Sequence, residues 1–135
     1  MFNPQPKPLP RAVEKVRQAK ADQKDDRVRK HVIREFHNFR CCVCGKKGSI
    51  EVHEEKRRGA GGEVSLKNSY LACVPKTGAC HRLLQDRFIY AEMADGSDQF
   101  DATKPLRFTM SQRVADAVFP HGQLPKHVHV IPEGR

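Results

Sequence analysis

The sequence predicts a small α+β domain with a helical N-terminal extension and a small C-terminal β/α appendage, and three features predict it. Residues 11–38 contain no Gly or Pro and are rich in Ala, Lys, Arg, Glu and Gln, a helical composition. The stretch from Arg40 to about Tyr90 is punctuated by Gly45, Gly48, Gly59, Gly61, Gly62 and Gly78, which divides it into short strands and tight turns. Beyond it, Leu106 to Met110 and His127 to Ile131 read as strands on either side of a helix from Ser111 to Phe119, with Ser111 as its cap.

A chain of 135 residues has the length of one domain with extensions. It divides into a mobile tail (1–10), a basic helical extension (11–38), a central domain (39–92) and an appendage packing on that domain (93–135). Prolines 4, 6, 8 and 10 forbid helix or central strand in the tail. In the extension, Val13 and Val16 are followed only by Ala19 and Ala21, whereas Val28, Val32, Ile33 and Phe36 form a helical stripe expected to pack on the domain. Lys15, Arg17, Lys20, Lys24 and Arg27 read as a solvated face, with contact along a phosphate backbone as the alternative. In the centre a helix is expected from His81 to Ile89, with Leu84 and Phe88 toward the core. His127 and His129 share one face of the last strand and, without a third ligand in range, read as exposed residues.

The apolar fraction is 38% and Trp is absent, so the core is thin for the length and stability must come partly from elsewhere. A formal charge of +9 favours an extended anionic partner, nucleic acid first, against the plainer reading of charge for solubility. The N-terminus lacks the apolar segment of a signal peptide and no run is long enough to cross a bilayer, so a cytoplasmic protein without a membrane partner is expected. In that reducing setting five cysteines between 41 and 80 point to metal rather than disulfides.

Cys41 and Cys44, two residues apart and followed by Gly45, have the spacing of a zinc knuckle. Cys73 and Cys80 form a second pair, and Pro75 and Gly78 between them let the loop fold back. Four thiolates at roughly 2.3 Å would close a structural zinc tetrahedrally. Cys42 is left over, since pairing it with Cys44 leaves a single residue between ligands, a poorer knuckle.

Between the cysteine pairs runs Ile50-Glu51-Val52-His53-Glu54-Glu55-Lys56-Arg57-Arg58-Gly59-Ala60-Gly61-Gly62, then Asn68, then Cys80-His81-Arg82. From Arg40 to about Ile89 this order resembles the HNH endonuclease family, in particular its small phage-type members. The resemblance implies a zinc-braced ββα-metal fold: strand, basic Gly-rich loop, asparagine and helix around one catalytic ion. It implies His53, Asn68 and His81 as ligands of Mg²⁺, Mn²⁺ or a similar divalent ion, and Lys56, Arg57, Arg58 and Arg82 as phosphate contacts. Glu54 stands where the family usually has the general-base histidine. A carboxylate, with a pKa of about 4.3 against about 6.5 for histidine, is the weaker base at neutral pH unless burial raises it.

The resemblance therefore implies a metal-dependent DNA endonuclease or nickase acting on double-stranded DNA. A zinc-containing nucleic-acid-binding module that has lost its base is the alternative. A third reading is a protein-interaction module, with the tail or the appendage as the contact.

Overall fold

The computed structural model describes residues 25–75 and 78–132. The proline-rich tail and the extension as far as Lys24, with Val13, Lys15, Val16, Arg17 and Lys20, lie outside the described residues, as do 76–77 and 133–135.

Among the described residues the fold is α+β, with three helices and two small sheets. Helix α1 covers 25–36. Strands β1 (Ile50–Glu54) and β2 (Ser69–Cys73) pair antiparallel, with Val52 opposite Leu71 and His53 opposite Tyr70. Side chains alternate across a strand, so this hairpin has two distinct faces. On one, Ile50, Val52 and Leu71 pack with Val64 and with Ile33 of α1. On the other, Tyr70 and Ala72 enter the larger core with Leu83 and Leu84 of α2 (Cys80–Gln85).

The second sheet has the order β3 (Tyr90–Met93), β4 (Leu106–Ser111), β5 (Val128–Ile131). β4 is antiparallel to β3 and parallel to β5, and the parallel pairing needs the crossover that contains α3 (Gln112–Val118). Ser111 caps α3, its hydroxyl accepting the Val114 N–H at 3.2 Å. Phe108, Met110 and Ala115 join Tyr70 and Leu84 in one cluster, so both sheets are built on a single core. No described helix is long and apolar enough to cross a membrane.

Two expectations are corrected. Helix α2 stops at Gln85 rather than Ile89, because Arg87 adopts the left-handed conformation at φ 59°. The Phe88 N–H then bonds the Leu83 carbonyl at 2.9 Å and the Arg87 N–H the Leu84 carbonyl at 3.2 Å, a Schellman closure. Leu84 stays buried and Ile89 enters the core, while Phe88 is turned out. On α1, Ile33 alone of the expected stripe is buried; Val28, Val32 and Phe36 are exposed. The helix settles with Asp26, Lys30, Ile33 and His37 inward, the row that meets Val64 and Leu71.

Candidate functional site

Cys41 and Cys44 lie in the turn before β1, Cys73 ends β2, and Cys80 opens α2. The four sulfurs all lie within 4.8 Å of one another. The Cys44 and Cys73 sulfurs are 3.7 Å apart, against an edge of about 3.8 Å in a tetrahedron with metal–sulfur bonds of about 2.3 Å. The knuckle is shaped by the backbone: the Cys44 N–H points at the Cys41 sulfur at 3.4 Å and the Gly45 N–H bonds the Cys41 carbonyl at 2.8 Å. Gly78 is required on the other side, since a Cβ there would lie 2.7 Å from the Cys73 sulfur.

The thiols disturb one another as close buried acids must. A hydrogen bond from the Cys80 thiol draws Cys41 down to about 4 and pushes Cys80 up, while burial lifts Cys44 to about 11. Adjacent thiolates repel one another, and a cation among the sulfurs offsets that repulsion. These four cysteines can therefore hold a metal ion. Cys42 is outside the cluster, its sulfur 3.5 Å from His37 Nδ1 and its thiol lifted to about 11 by burial.

The second constellation lies where α2 crosses the hairpin. His53 projects from β1 on the face it shares with Tyr70, and its ring stands edge-to-face on His81 from the first turn of α2, centroids 5.3 Å apart. Burial, then His81 and Arg57, lowers the His53 pKa to about 4, so its imidazole is neutral at physiological pH. His81 Nδ1 is buried without a hydrogen bond; its nearest carboxylate, Glu51, lies 3.6 Å away, beyond hydrogen-bond length. Open hollows of about 700 and 680 Å³ flank His81, the first lined by His53, Glu54, Arg57 and Arg58, the second by Glu51, Pro75 and Arg82.

Asn68 is held differently from a free ligand. Its Oδ1 accepts the Lys56 N–H at 2.9 Å, and its Nδ2 donates to the Lys56 and Glu63 carbonyls at 2.9 and 2.8 Å. The carboxamide thus closes the loop between the strands and sets where β1 ends. Gly62 completes the closure, because a Cβ there would lie 1.7 Å from the Lys56 carbonyl oxygen.

Glu54 follows the alternation away from His53: its carboxylate lies 3.5 Å from Arg58 Nε, and Arg58 also bonds Asp26 of α1 at 2.8 Å. The carboxylate on the histidine face is Glu55, which accepts the Tyr70 hydroxyl at 3.0 Å and whose pKa is raised by burial. Strand parity counted from His53 gives the same side for Glu55, one residue past the end of β1, and is the signal in the sequence. Of the expected phosphate contacts, Lys56 is exposed, Arg57 donates to the Gln85 carbonyl at 3.1 Å, and Arg82 lies 3.6 Å from Asp86. No protein-family model, curated protein or solved structure matches this chain.

Proposed function

We propose that the chain is a divalent-metal-dependent nucleic-acid endonuclease of HNH type, its base braced by zinc in the four-cysteine cluster. The observation that carries the reading is the pairing of His53 and His81 across a β-hairpin and helix whose loop is closed by Asn68. Zinc suits four sulfurs at tetrahedral spacing and stitches the hairpin to α2 beneath the pair.

The two imidazoles fit a second cation: His53 is neutral, and His81 has a buried nitrogen with no hydrogen bond of its own. Mg²⁺ or Mn²⁺ held there would polarise a phosphate oxygen and offset charge on the departing 3′ oxygen. The protein's own groups do the rest. Hollows on both sides of His81 let a strand pass through rather than end at the site. Arg57 and Arg82, on opposite sides of the pair, position successive phosphates. Asn68 fixes the loop that carries Lys56 and Arg57. Glu54, turned from His53 toward Arg58 but lining the same hollow, is the carboxylate that would accept the proton of water.

Supercoiled plasmid incubated with zinc-loaded protein and Mg²⁺ or Mn²⁺ should be nicked, and His81→Ala should abolish the nicking. Equal nicking by both proteins would assign the activity to a contaminant. Glu54→His should keep or raise the rate.

The engagement of Glu54 with Arg58 favours one second reading, a zinc module that binds nucleic acid without cutting it. It calls for salt-sensitive binding that survives His53→Ala and His81→Ala, with no cleavage under any metal.

A further inference from the structure

The sixteen Asp and Glu residues are unevenly spread: 36–50, 64–85 and 117–132 contain none. Parts of these segments, the knuckle, the second cysteine pair and the approach to β5, meet at one pole. The His127 N–H bonds the Val43 carbonyl at 2.9 Å, and a Cβ on Gly45 would lie 3.3 Å from His127 Nε2. Lys46 and Lys126 line one hollow of about 430 Å³ beside Cys44, Cys73 and Cys80. Arg40 reaches the Gly45 carbonyl at 3.4 Å, and Lys47 is exposed next to Lys46.

This pole differs from the histidine cleft in how its charge is balanced. In the cleft, Arg58 and Arg82 each have a carboxylate within ion-pair distance, while Arg57 is engaged by the Gln85 carbonyl. Among the described residues, Arg40, Lys46, Lys47 and Lys126 have none. An arginine already paired gains less from a phosphate than an unpaired cation does, because the new contact replaces an old one. Two segments far apart in sequence, each free of acids, present four cations side by side, more than the two negative charges of a zinc ion held by four thiolates would offset.

We propose that the cysteine-cluster pole, through Arg40, Lys46, Lys47 and Lys126, is a docking face for the phosphate backbone of double-stranded nucleic acid, separate from the His53–His81 cleft. It shares with the endonuclease reading only the class of partner. The contact is ionic, and contacts to phosphate position the duplex without reading its sequence.

The test is binding of the full, zinc-loaded chain to a short DNA duplex over a series of salt concentrations, comparing wild type with Lys46→Gln/Lys47→Gln/Lys126→Gln. Each phosphate contact contributes about 0.9 to the slope of log affinity against log salt, so the triple variant should lose roughly 2 to 3 from the slope and tenfold or more in affinity at low salt. Bound zinc is counted in both proteins. An unchanged slope, or no duplex binding by wild type at low salt, overturns the proposal. So does loss of zinc from the variant, which would make the lysines partners of the thiolates instead. Nicking assayed in parallel separates the two ideas: nicking with an unchanged slope sinks only the docking face, and a reduced slope without any nicking sinks only the nuclease.

Discussion

Asn68 shows how one side chain can decide a loop. Its carboxamide meets three backbone groups of a loop that has no sheet partners, so Asn68→Ala leaves a donor and two carbonyls to water or to nothing. The cost should be about 1–3 kcal/mol in urea denaturation, with Asn68→Asp intermediate because only the acceptor is kept. His53 offers a test of a different kind. Its folded pKa of about 4 lies below the unfolded value near 6.5, so between these pH values the unfolded chain binds more protons. The stability contributed by the neutral ring is therefore complete above about pH 6.5 and is lost as pH falls toward 4, about 2 kcal/mol after discounting for solvent at the ring. Titration of the histidine ring protons by NMR, without added divalent ion, should place His53 near 4. His81→Ala should raise it only in part, since burial is the larger cause. A value near 6.5 in wild type would mean the ring is not desolvated as described.

At the scale of elements, the sequence was readable where local chemistry decides and misleading where packing does. The cysteine spacings singled out four ligands and set aside Cys42, and Ser111 announced α3, because knuckles and caps are short-range devices. The end of α2 was not legible: a Schellman closure is normally marked by glycine, and here Arg87 takes the left-handed position. The face of α1 was not legible either, since Val28, Val32 and Phe36 outnumber the one residue, Ile33, that finds Val64 and Leu71. In the site, the family resemblance pointed to the histidines that stand together, but not to the divergence of Glu54 and Glu55, which arises where β1 ends at Glu54 and the chain bends. Both misreadings give predictions. Arg87→Gly should stabilise the protein by up to about 1 kcal/mol by relieving the left-handed residue. Ile33→Ala should cost about 2–4 kcal/mol while Val32→Ala stays within about 1, each read from thermal or urea unfolding. Equal costs at 32 and 33 would contradict the orientation of α1.

Over the whole molecule the decisive question is whether a metal in the four-cysteine cluster would hold one module or the entire fold. The four cysteines join three places: the knuckle, the last residue of β2 and the first of α2. Cys73 and Cys80 are also members of the large core, the cluster that contains Phe108 and Met110 of β4 and Ala115 of α3. Structural zinc binding is worth about 10–16 kcal/mol, comparable with the entire stability of about 5–15 kcal/mol typical of a domain. Without an ion the four thiols, three of them buried, would no longer hold the hairpin against α2, and the second sheet would then lose Tyr70, Leu83 and Leu84 from its own core. Chelation should therefore unfold both sheets in a single transition, seen together in circular dichroism and in amide exchange at β2 and β4. Cys73→Ser should reproduce the effect, whereas Cys42→Ser, outside the cluster, should leave the transition in place with a modest shift. If β3, β4 and β5 keep their exchange protection after the metal is gone, the shared core does not couple the two sheets and the metal braces the hairpin and α2 alone.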